Sequence, residues 1–251
     1  MFTALFKTKP LLEEEYINWM LDTFAWALRN FDAKTFREET ILVVPSNDMF
    51  PGRASSAHEM AGMVFERVVN YSGLNHWPLQ LIDENDATGL LTPTLTLPDA
   101  ARGKNSMQTT APGQAAIPIT YSPYAVNNPE VLIAHFAHVL AHYLGSLAKE
   151  PPPGGQENWP HITELLAVFL GFGVIMANTA FTNKVRSCGS CAGPIVERTN
   201  FLSQWDMTYA LAIFCTYKGI DKQKVKPFLK ASLWPFFKKA LKDIGPRINS
   251  K

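Results

Sequence analysis

The stretch from Thr163 to Phe181 carries one charge, Glu164, in its first turn and is otherwise nearly all apolar. A helix that is apolar on every side must be buried on most of them. The longest apolar run, Leu165 to Ala177, falls short of the ~18 residues that suggest a membrane span. The segment therefore predicts a core helix, and no membrane span is expected.

The chain has 251 residues, which suits one domain of above-average size or two small ones. An apolar share of 47% against 18% charged residues supplies ample core. Twenty-three basic residues against 22 acidic ones leave a net charge of +1, so no broad electropositive field is available and no nucleic-acid partner is expected. Three cysteines, Cys188, Cys191 and Cys215, are too few for a secreted disulfide framework. The first ten residues are too interrupted for a signal peptide. A reducing, cytoplasmic setting is the expectation.

Hydrophobic spacing places the other elements. Leu11 to Asn30 repeats at helical intervals, with Glu13 to Glu15 in the first turn. Ile41-Leu-Val-Val44 and Leu79-Gln-Leu-Ile82 read as short strands. Ser55 or Ser56, with Glu59 placed for a capping box, starts a helix to about Tyr71. Residues 83 to 115 are rich in Thr, Pro, Gly and Asn and read as loop or hairpin. Ile117 to Tyr121 is extended, and Pro118 confines it to an edge. Asn128-Pro129 opens a helix to Ala148. Helices at 163–181, 203–217 and 224–242 follow, with a loop over 183–198. The class is α+β: a small mixed region over 1–125 packed on a helical part over 126–251, together one domain. The basic face of 222–242 is read as a solvated helical cap, with membrane or nucleic-acid docking as the rival.

Chemistry concentrates in Ile133-Ala-His-Phe-Ala-His-Val-Leu-Ala-His-Tyr-Leu-Gly145. Offsets of three, four and seven residues share a helix face, so His135, His138 and His142 form one stripe. A His pair at i, i+4 is the spacing used by the zinc-binding His-Glu-x-x-His helix. The plainer alternative has these rings facing solvent or satisfying buried carbonyls. A zinc site also needs a third protein ligand and an open position for water. Glu164 is the candidate, because a lone carboxylate on an apolar helix is costly to bury unless paired or ligating. Its rival role is a first-turn acid favoured by the helix dipole. His161 is an alternative ligand, or a residue supporting one.

Where the zinc-helix motif has its general base, this chain has Val139, which takes no proton. Glu164, His135 and His161 are the nearby substitutes by sequence. Cys188-Gly-Ser-Cys191 fits half a zinc knuckle or a redox pair, or two loop cysteines without function. Cys215, His58 and His76 are poor complements to it. Asp48, Glu59 and His58 have no supporting constellation. No phosphate-cradling Gly-rich loop and no Gly-x-Ser-x-Gly occurs.

Taken together, Trp19, Phe24-Ala-Trp26, Val43-Val-Pro-Ser46, Phe50-Pro51, the 138–145 stretch, Thr163 to Gly171, Ala177-Asn178, Phe201 to Gln204 and Tyr209-Ala-Leu211 resemble a family of uncharacterised, mostly bacterial proteins with a His-Glu-x-x-His helix. The resemblance covers most of the chain. It implies a zincin-like fold and a metal-dependent hydrolase ancestry. His138 and His142 match the two motif histidines, Val139 departs from the motif glutamate, and Glu164 falls where relatives are acidic. Relatives carry a further acid where this chain has Pro160 and His161, and His135 is an addition. The expectation is a zincin-like protein with a degenerate zinc site of His138, His142 and Glu164 and little or no peptidase activity. The alternatives are a metal-free structural or interaction module, with a protein or peptide partner, and an active zinc hydrolase using a substitute base.

Overall fold

A computed structural model of the chain describes residues 10–87, 95, 97, 101–103, 115–180 and 201–249. Local signals account for most helix starts. Helix α1, Glu14–Asn30, begins with two acids that favour the positive helix end. Asp32 caps the short α2, Ala33–Glu38, by accepting from the N–H groups of Lys34 and Thr35. Ser56 caps α3, Ala57–Ser72, through the N–H of Glu59. Glu59 in turn reaches Ser55, one residue earlier than a capping box requires. Gly73 closes α3 in the left-handed conformation, φ 73°.

Strands β1, Leu79–Asp83, and β2, Ile117–Tyr121, pair in parallel, with Leu79 opposite Ile117 and Asp83 opposite Tyr121. In this two-stranded sheet both strands are edges, which is how Pro118 is accommodated. Ile117, Ile119 and Tyr121 alternate into the core.

Asn128 caps α4, Pro129–Ser146, with Pro129 at its first position. The expected core helix starts earlier than its apolar pattern, because Trp159 and Pro160 form its first turn. It runs as α5, Trp159–Ala167, widens into a π turn over Val168–Phe172, and continues as α6, Gly173–Thr179. Gly171 bends it at φ 105°. Including the short turn before α5, the helical stretch Gln156–Thr179 is 24 residues long, enough by length and composition to cross a membrane. Here it is an interior element, with 94% of its most apolar 18-residue window buried among the other helices.

Two sequence expectations need correction. Ile41–Val44 is extended but not a strand; Val43 donates to the carbonyl of Gly171, so its partner is the bend in the core helix. The single helix expected over 224–242 is broken. Helix α7, Gln204–Lys218, is followed by a short α8, Lys222–Val225, and then α9, Trp234–Asn249. The break at Pro227 is clamped by buried Asn178, which donates to the Phe228 carbonyl and accepts from the N–H of Lys230.

The core is one continuous cluster drawn from both halves of the chain. Phe36 stacks on Phe169 at 4.6 Å, Phe24 meets Phe169 edge-on, and Phe65 on α3 meets Phe136 on α4 at 5.1 Å. The fold is mostly helical with one small sheet in its first half, an α+β arrangement. The first part holds α1, α2 and α3 together with both strands, the mixed arrangement expected of it.

Candidate functional site

Helix α4 crosses α5 at Gly145. A Cβ there would fall 2.6 Å from the Trp159 ring and 3.0 Å from Leu166, so glycine is what allows the close approach. Trp159 and Leu166 thus define the stripe of α5 that faces α4.

His142, exposed one turn before the end of α4, accepts a hydrogen bond at Nδ1 from the indole N–H of Trp159, 3.1 Å away. The indole nitrogen is a donor only, so the direction is fixed. A neutral ring that accepts at Nδ1 carries its proton on Nε2. Neither nitrogen then offers a free lone pair: one takes the indole proton and the other bears a proton. Metal-bound histidines have the opposite arrangement, donating from the nitrogen that does not ligate.

His135 sits about two turns earlier and donates from Nε2 to the carbonyl of Thr120, 2.8 Å away, tying α4 to β2. This is the plainer role considered for the histidine stripe. His138 lies between the two, half-buried, on the same face.

Glu164 has a backbone partner on another side of α5. At 100° per residue it lies about 140° around α5 from Trp159. Its carboxylate, fully buried, accepts from the N–H of Leu202 at 2.8 Å. Burial, and then the charges of Asp206 and Glu164, push the neighbouring Tyr16 hydroxyl of α1 well above its usual range. Glu164 therefore faces α1 and the start of α7. His161 points the same way: its ring meets Trp19 at 6.5 Å and Phe201 at 5.7 Å, and its Nδ1 is buried without a hydrogen-bond partner. The structure brings His135, His138 and His142 onto one face and places Glu164 and His161 on another. Among the described residues, no group of three His, Cys, Asp or Glu side chains is placed to hold a metal ion.

Val139 is half-buried and packs against the core. Cys188 and Cys191 lie outside the described residues. Cys215 is buried in α7, and burial pushes its thiol up to about 12, so it is no nucleophile. Asp48 is exposed, His76 is buried, and Glu59 does capping work.

Sequence reasoning missed one polar chain. At the carboxyl ends of β1 and β2, Tyr121 Oη lies 3.0 Å from His58 Nδ1 and 3.4 Å from Asp83. Burial first, then Asp83, raise the Tyr121 hydroxyl above its usual range and keep it protonated. The signal available was His58 in the first turn of α3, but its partners lie across the sheet and share no sequence pattern with it. Comparisons of the chain with protein-family profiles, curated proteins and solved structures gave no match.

Proposed function

We propose that this chain is a non-catalytic, zincin-like protein whose α4 histidines join helices and strand together and form no zinc centre. The observation that carries this reading is the hydrogen bond from Trp159 to His142 Nδ1. It engages, as an acceptor, the residue that would have to be a ligand. Supporting it, Glu164 caps the backbone at Leu202 on a different face of α5, and Val139 replaces the residue that would take a proton from metal-bound water. On this reading the domain's role is interaction with a protein or peptide partner.

Nitrogen NMR of the full chain tests the reading at its key atom. The expected spectrum shows His142 with a proton on Nε2 and an unprotonated, hydrogen-bonded Nδ1, unchanged by equimolar zinc. A zinc-induced switch of that ring to the Nδ1–H form, with loss of the Nε2 proton, would overturn it.

A further inference from the structure

A cavity of about 420 Å³ opens between α3, the first turn of α4 and the segment 45–52, away from the histidine stripe. Its apolar wall includes Phe50, Met60, Met63 and Ile133. Two charges of opposite sign also line it: Arg67 from α3 and Glu130 from α4. Among the described residues they form no ion pair with each other, and the Arg67 side chain makes no hydrogen bond or ion pair.

Glu130 is held in place. The buried amide of Asn178, fixed by Phe228 and Lys230, donates to one carboxylate oxygen at 3.3 Å. The loop wall is also preformed. Ser46 O accepts from the N–H groups of Met49 and Phe50, and Tyr71 donates to the Met49 carbonyl at 2.6 Å. Phe50 packs edge-on against Tyr71 at 5.8 Å. Gly52, at φ 131°, leaves room for Met63, whose methyl would lie 1.8 Å from a Cβ there.

From this arrangement we infer that the cavity binds a small zwitterion with a large apolar side chain: an amino acid, free or in a short peptide. A guanidinium matches a carboxylate, and the Glu130 carboxylate matches an ammonium. A simple anion meets repulsion from Glu130, and a simple cation meets it from Arg67. The two methionines adapt to different hydrocarbon shapes, so the side chain is selected for bulk more than for outline. The volume lies toward the small end of ligand pockets, which run from about 300 to 1,000 Å³. The inference does not depend on the fate of the histidines.

The test is calorimetric titration of the full chain with leucyl-leucine, its N-acetyl form, its C-terminal amide, free leucine and glycylglycine. Leucyl-leucine is expected to bind, and each terminal cap to weaken it about tenfold or more. Glycylglycine should not bind. Equal binding of free leucine would assign the site to amino acids, and weaker binding to peptides. Arg67→Met should abolish the difference between acid and amide, and Glu130→Gln the difference between amine and acetyl. The capped ligands probe the wild-type chain, so they decide the matter even where a variant folds poorly. No binding of leucyl-leucine or leucine, or binding indifferent to both caps, would overturn the inference.

Discussion

Trp159 donates its indole N–H to Nδ1 of His142 across the contact between α4 and α5, 3.1 Å away. The pair lies beside Gly145, where the two helices approach most closely. A hydrogen bond of this kind is worth about 0.5–1.5 kcal/mol net, and exposure of His142 places it at the low end. Trp159→Phe removes the donor and the outer edge of the ring that packs at Gly145. Urea denaturation should show a loss of at least about 0.5 kcal/mol, and the His142 ring should begin to exchange between its two neutral forms. An unchanged ring would mean that the indole does not fix it.

Glu164 works as a backbone cap in the interior. Glu164→Ala leaves the buried N–H of Leu202 without its acceptor, which costs about 1–3 kcal/mol. Glu164→Gln keeps an oxygen there and should lose less. Denaturation in the presence and absence of zinc measures both effects. The loss should be the same in each condition, whereas a metal ligand would lose stability chiefly when zinc is present.

Gly171 meets two constraints at once. Its φ of 105° strains any other residue, and a Cβ would lie 2.1 Å from the carbonyl oxygen of Ile41. That oxygen belongs to backbone held nearby by the Val43 to Gly171 hydrogen bond. Gly171→Ala should cost at least about 2 kcal/mol, the strain of an unfavourable backbone region plus the displacement of 41–43. Thermal melting checks it, and a loss below about 0.5 kcal/mol would contradict the described bend.

Asp32 supplies a pH dependence. Partial burial pushes its carboxyl up, but hydrogen bonds from the N–H groups of Lys34 and Thr35 and from the Thr35 hydroxyl, with the charge of Arg102, outweigh this and hold it below the usual range. A carboxyl depressed in the folded state stabilises above its unfolded pKa and loses that contribution as pH falls through its folded pKa. Asp32→Ala should therefore cost about 1 kcal/mol at neutral pH, as loss of a helix cap does. The gap from wild type should narrow as the pH drops below about 4. Melting curves across the acid range measure it. A gap that widens in acid would reverse the assigned sign.

How far the fold could be read from sequence depended on how local each cause was. Ser56 and Asn128 stand at the helix starts expected of them, because a cap is made by residues within three positions. Ile41–Val44 has strand composition but pairs with a carbonyl at Gly171, far along the chain, and so forms no strand. The helix expected over 224–242 fails for a similar reason: Asn178 holds the break open from another helix. In the histidine stripe, the shared face was legible from spacing. The partners were not. Thr120, Trp159 and Leu202 come from three other elements, and they decide whether an imidazole or a carboxylate has a lone pair to offer.

Val139 bears on the question of activity. The residue is half-buried against the core, so Val139→Glu should be folded but destabilised by about 1 kcal/mol. With no third ligand placed beside His138 and His142 among the described residues, restoring the motif glutamate should yield no chelator-sensitive cleavage of a peptide library. Appearance of such cleavage would show that an intact metal site had lacked only its base.

The central claim is that the α4 histidines form no zinc centre, and zinc content per chain tests it most directly. Purified, untagged wild-type protein and the double variant His138→Ala with His142→Ala would be equilibrated with zinc, freed of excess, and analysed side by side. The account predicts the same zinc content in both. About one zinc per chain in the wild type, lost in the double variant, would contradict it.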